Sequence, residues 1–215
     1  MKKKRIISRK KRALLLILLC LLLFAAYFAT DPYGYGFSKE TAVADRLEYF
    51  AVGEAEIFPS SAICSNTEVD GFPTLFAVND YCMMHIMLNH SFMHGWQYWG
   101  SAVLDCSEEA PLHAGVHIVE NHGTEIRTAR YFGRIYDERI SSLKFEIVYL
   151  EHYDETVVIQ TDNIAVTEQG RFFCVDEHFT SEYPGINTVT VIAYDSSGEL
   201  IYSAELKNIV HTTYN

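Results

Sequence analysis

Positive charge is scarce once the first twelve residues are set aside. Lys2, Lys3, Lys4, Arg5, Arg9, Lys10, Lys11 and Arg12 take eight of the 17 basic residues, and no acidic residue precedes Asp31. Residues 31–215 therefore carry 9 basic against 28 acidic groups, a net charge of −19 where the whole chain has −11. So large an acid excess argues against nucleic acid and anionic membrane surfaces as partners of that part. Catalytic signatures are missing as well. There is no glycine-rich phosphate loop, nucleophile elbow or Cys/His signature, and Ser60, Ser61 and Ser101 lack flanking residues that would activate them. The paired carboxylates (Glu108-Glu109, Asp137-Glu138, Asp154-Glu155) each fall in a turn between apolar runs, where solvated charge is ordinary. Without a Cys-x-x-Cys, a thioredoxin-like redox role lacks its motif.

What the chain does have is an unbroken apolar run over residues 13–29, directly after the basic start. As a helix it rises about 25 Å, at the short end for a hydrocarbon core of about 30 Å. Eight cations resist translocation, so the pattern predicts a single-pass plasma-membrane protein with its N-terminus in the cytoplasm. Residues 31–215 are then extracytoplasmic. A cleaved signal peptide needs two small residues flanking a spacer, but Tyr27 stands two before Ala29 and Phe24 two before Ala26. The expectation is an uncleaved anchor, with Tyr27 and Phe28 in the aromatic belt at the membrane boundary. Leu19 before Cys20 also departs from lipoprotein processing, which takes a small residue there.

Beyond the anchor, the pattern divides into a small α+β segment over 31–110 and an antiparallel β-sandwich, immunoglobulin-like, over 111–215. Ser38 reads as an N-cap, and Val43, Leu47 and Phe50 keep helical spacing, widened by Ala44 and Ala51. A helix is expected over 39–51, stopped by Gly53. Residues 74–78 and 97–106 read as strands. Residues 81–94 fit either a helix capped by Asp80 or a pair of strands, and their strand-like neighbours favour strands. In the second half, short strands recur at 116–119, 129–135, 143–149, 156–161, 163–166, 171–175, 188–194 and 199–204. Leu143, Phe145, Ile147 and Tyr149 alternate with Lys144, Glu146 and Val148, and Asp195-Ser196-Ser197-Gly198 makes a hairpin of the last two strands. About seven short strands in a hundred residues point to the sandwich. Of the three pairings that four exported cysteines permit, Cys82 with Cys106 is the expected bridge, since both lie near the ends of adjacent apolar segments; the competing reading is that all four are small buried residues.

Three stretches resemble small membrane-anchored exported proteins of Gram-positive spore-forming bacteria: Gly95-Trp96-Gln97-Tyr98-Trp99, Phe132-Gly133-Arg134-Ile135-Tyr136-Asp137, and residues 191–202. The resemblance implies a plan (basic leader, one anchor, a Gly-Trp segment, a C-terminal β-rich module) and a location. It carries over no functional residue.

One local cluster is unusual. Met83, Met84, Met87 and Met93 lie within eleven residues, among Cys82, His85, His90 and His94. Thioether and imidazole suit soft copper(I). In a strand Met83, His85 and Met87 share a face, and in a helix Met83, Met87, His90 and His94 do. Met83, His85, Met87, His90 and His94 are thus the candidate copper ligands. The competing reading is that methionine fills irregular gaps in a core. A second group, His113, His117, Glu120 and His122, has zinc-like types. However, Ala114 stands where the glutamate of a catalytic zinc helix belongs, and a strand would separate the two histidines. The expected function is a non-catalytic, membrane-tethered module without a cofactor, binding a protein or cell-envelope component. A copper-binding protein and an envelope hydrolase are the alternatives.

Overall fold

The structure is a computed structural model describing residues 9–29, 35–36, 38–50, 53–92, 95–121, 126–150, 152–180 and 185–214. Helix α1 (Arg9–Ala29) precedes strand β1 (Tyr35–Gly36) and helix α2 (Lys39–Tyr49). Next come β2 (Glu56–Pro59), β3 (Glu68–Val69), β4 (Phe72–Val78), β5 (Cys82–Ser91) and β6 (Gly95–Asp105). From Leu112 onward the described elements are all strands. They are β7 (Leu112–Asn121), β8 (Ile126–Ile135), β9 (Ser142–Tyr149), β10 (His152–Thr161), β11 (Ile164–Thr167), β12 (Gly170–Thr180), β13 (Ile186–Tyr194), β14 (Leu200–Glu205) and β15 (Ile209–Tyr214).

The protein is mostly β, and its described strands form three sheets. The first runs β1-β6-β5-β4-β2 with β3 on β4, the central one β11-β12-β8-β7-β15, and the third β10-β9-β13-β14. Among the described residues every pairing is antiparallel except β15 on β7. Side chains of a strand alternate between faces, so the central sheet can be buried on both sides. On one side Val116, Ile118, Tyr131 and Phe173 pack with Phe145, Ile147, Val189 and Val191 of the third sheet. On the other, Phe132, Phe172 and Cys174 pack with Phe76, Met83, Ala102 and Leu104 of the first. Residues from before and after position 110 share this second core.

Helix α2 forms where the N-cap predicts it. The Ser38 hydroxyl accepts from the Thr41 N–H at 3.2 Å, and the Thr41 hydroxyl accepts from the Ser38 N–H at 3.1 Å. Ala42, Val43 and Leu47 bury against Leu75, Ala77, Met84, Ile86 and Leu88 on the outer face of the first sheet. Phe50 caps the helix and stays 38% exposed, while Ala51 lies outside the described residues. Residues 82–91 are one strand, not a pair. Met83, His85 and Met87 face inward and Met84, Ile86 and Leu88 face α2, so both faces are buried. A strand buried on both sides loses its period of two, which is why its sequence also reads as a helix.

The half-buried strand at 143–149 and the hairpin β13–β14 form as the alternation and the turn residues predict. Asp195 Oδ1 accepts from the backbone N–H of Ser197 at 2.8 Å and of Glu199 at 2.9 Å, and Gly198 takes φ +84°. The expected Cys82–Cys106 bridge is not made. Cys64 and Cys174 are joined instead, while Cys82 and Cys106 are free. The reason is register: Cys82 pairs with Asp105, one residue short of Cys106, and a single step turns a side chain to the opposite face. Cys82 therefore packs on the α2 side and Cys106 in the core beneath.

Helix α1 carries its apolar side chains outward, from Leu14 at 70% exposed to Leu19 at 50%. Among the described residues, no helix is long and apolar enough to cross a membrane. The side chains of Tyr27 and Phe28 lie outside the described residues.

Candidate functional site

Between the first and central sheets an apolar core is interrupted by a chain of buried polar groups. Arg130 on β8 is wholly buried, and its partner Asp176 stands directly opposite on β12. The two form a bidentate pair, Nε to Oδ1 at 2.7 Å and Nη2 to Oδ2 at 2.8 Å. Nη1 donates to the Thr74 hydroxyl at 2.7 Å and to His85 Nε2 at 3.3 Å. Nη2 also reaches the carbonyls of Asn66 (3.0 Å) and Glu68 (3.2 Å), so the planar fork is fully used. Thr74 passes its own proton to the Thr67 carbonyl at 3.1 Å, and Asn66 Nδ2 donates to Asp176 at 3.1 Å.

The chain continues through two buried imidazoles. His85 Nδ1 and His117 Nδ1 are 2.8 Å apart, and His117 Nε2 is 2.8 Å from the Thr212 hydroxyl. Arginine can only donate, so His85 Nε2 must accept. That leaves the His85 proton on Nδ1, donated to His117 Nδ1, and the His117 proton on Nε2, donated to Thr212. One end of the chain thus fixes both tautomers. Burial, and then the neighbouring His117 and Arg130, holds His85 well below the usual imidazole range. Burial, with Arg130 and then His211, holds His117 down at about 3. Both rings are neutral at ordinary pH. Thr212 reaches this point because β15 crosses close over Gly100, where a Cβ would stand 2.8 Å from the Thr212 methyl.

A second polar group lies on the other face of the central sheet. The hydroxyls of Tyr131 and Tyr149 both donate to Glu177, at 2.9 and 2.8 Å. Burial and the Glu177 carboxylate raise the Tyr131 hydroxyl above its ordinary range. A cleft of about 330 Å³ opens where the three sheets meet, lined in part by Asp105, Glu108, His113, Tyr202, Glu205 and Lys207.

Of the candidate copper ligands, Met83, His85 and Met87 do share one buried face of β5. Met83 belongs to the core with Phe76 and Phe132, and Met87 packs with Val69 and Val119. His90 is exposed, its ring 4.7 Å from Trp96, and His94 lies outside the described residues. The second group is divided. His113 bonds the Glu108 carbonyl at 2.8 Å, His117 joins the buried chain, and His122 lies outside the described residues. Among the described residues, no group of three His, Cys, Asp or Glu side chains could hold a metal ion.

Sequence reasoning missed Arg130, Asp176 and Thr212. One signal was available: Arg130 and Arg134 alternate with apolar residues inside a strand, where a cation needs a buried partner. Its partner is 46 residues away, which no local pattern reveals. No protein-family model matches this chain, and no curated protein matches it either.

Proposed function

We propose that this chain is a membrane-tethered, extracytoplasmic module without catalysis, which binds a protein or cell-envelope component through its β-rich part. The observation that carries the reading is helix α1. It is apolar on all sides, its leucines stand 50–70% exposed, and basic residues lead into it. A helix that is hydrophobic all round belongs in a lipid or protein environment. Its apolar run of about 25 Å is a short span, which flanking lysines and arginines can accommodate by reaching toward the headgroups. The Cys64–Cys174 disulfide supports an exported location, because such bonds persist in oxidising compartments. The plan is that of the spore-former exported proteins which the Gly-Trp and C-terminal segments resemble.

The central and third sheets are read as an immunoglobulin-like sandwich. Their orders β11-β12-β8-β7 and β10-β9-β13-β14 support it. In that assignment β7, β8, β12 and β11 take the places of strands A, B, E and D, and β9, β13 and β14 those of C, F and G. Such a sandwich presents edges and loops to a partner. The buried Arg130 chain spends its hydrogen bonds on its own members, which supports an architectural role for those residues. Protease added to intact cells tests the topology: residues 31–215 are digested from outside, whereas protection until lysis overturns the reading.

A second reading, a soft-metal site, draws on the thioethers of Met83 and Met87 on one buried face of β5, since both ring nitrogens of His85 are taken up by Arg130 and His117. Copper(I) retained by the purified chain and lost in the Met83→Leu, Met87→Leu variant favours it over packing.

A further inference from the structure

The β5–β6 hairpin ends in Phe92, whose side chain is wholly exposed, the most exposed of the large apolar side chains described. A single exposed apolar residue is ordinary in itself. Its position relative to the leader is not. Strand β1 is the first described element after α1, and it pairs with the start of β6: Tyr35 with Gln97 and Gly36 with Trp96. The contact is close. A Cβ on Gly95 would stand 2.7 Å from the Gly36 carbonyl oxygen, and Gly95 takes φ +71°, which glycine allows. The chain leaving the leader is therefore fastened to β6 beside the turn that carries Phe92, at the tip end of that hairpin.

Only residues 30–34 separate α1 from β1. Fully extended, the six steps from Ala29 to Tyr35 span at most about 20 Å. With α1 in a membrane, the hairpin cannot stand far from that surface. Its neighbours suit an interface: the Trp96 ring has the His90 ring 4.7 Å away between centroids and the Lys39 ammonium over its face, 4.7 Å from the Trp96 centroid. Tryptophan and a nearby cation are the residues found at headgroup level. The acid excess elsewhere repels the rest of the module from anionic lipid, so contact is confined to this end.

We propose that the β5–β6 hairpin rests on the membrane that holds the leader and inserts Phe92 into its interface, with Trp96 and Lys39 at headgroup level. The module would then stand on this tip, with the opposite end of the first sheet away from the surface. The proposal rests on the tether reading, and the test separates the two. The full chain, with Phe92 or Leu200 replaced by p-benzoylphenylalanine, is reconstituted in vesicles of phosphatidylcholine and phosphatidylglycerol in equal parts. Leu200 serves as the distal control. It is exposed on β14, whose Tyr202 lines the cleft with Asp105, ten residues from Gly95 and so about 33 Å along β6. Flotation is measured first, then photo-crosslinking to lipid. A chain that floats and gives several times more lipid adduct at position 92 than at 200 supports the proposal. A chain that floats with equal adduct at both positions overturns the docking and leaves the tether standing. A chain that does not float overturns both.

Discussion

The two faces of the central sheet are held in different ways. Toward the third sheet it presents Val116, Ile118, Tyr131 and Phe173, with Glu177 accepting from two tyrosine hydroxyls and Arg171 donating to the Asp137 and Ile140 carbonyls at the margin. Toward the first sheet the same strands present His117, Thr128, Arg130 and Asp176 alongside Phe132 and Phe172. An apolar interface gains its free energy from area and tolerates small slips. A buried ion pair with every donor assigned contributes little net stability, but a slip of one residue leaves charges unpaired in the interior. The apolar face thus supplies stability, and the polar face fixes the register of the first sheet on the central one.

Five changes sharpen that contrast. The largest concerns the covalent tie across the polar interface. Cys64→Ser with Cys174→Ser reopens a loop of 110 residues. By chain entropy this lowers stability by about 4 to 5 kcal/mol, read as a fall in the urea midpoint. Arg130→Met comes next. It strands Asp176 and costs about 3 to 5 kcal/mol, whereas Arg130→Met with Asp176→Leu restores most of the loss. Phe145→Ala on the apolar face costs a similar amount, about 3 to 5 kcal/mol, and has no such rescue.

The fourth change is acid. His85 and His117 are neutral when folded and titrate in the ordinary range when unfolded. Their contribution is complete above the unfolded value, near pH 6.5, and is lost as pH falls from there toward 3, because the unfolded chain takes up protons first. Two such rings remove about 2 to 3 kcal/mol between pH 7 and pH 5.5, and His117→Asn roughly halves that drop in urea unfolding. The smallest effect is on the other face. Tyr131→Phe costs about 0.5 to 1.5 kcal/mol, since Glu177 keeps its bond from Tyr149.

The strands of the second half are legible because a residue such as Phe145 alternates with Lys144 and Glu146, one side wet and one dry. β5 is ambiguous because both its sides are dry. β15 went unread, although 209–214 is rich in β-branched residues, because it pairs in parallel with β7 some ninety positions earlier. The disulfide was mispaired for the same reason: local proximity favoured Cys82 with Cys106, while the fold brings Cys64 to Cys174. At the candidate site His85 was visible through its methionine neighbours. Its partners His117 and Arg130, and Thr212 beyond His117, come from three other strands, and only tertiary structure joins them.

The central claim is that residues 13–29 hold the module to a membrane. Alkaline carbonate extraction of membranes carrying the full chain, followed by intact mass, tests it most directly. The account predicts that the protein stays with the membrane pellet at 24.5 kDa, leader included. Release into the supernatant, or a mass lacking the leader, would contradict it.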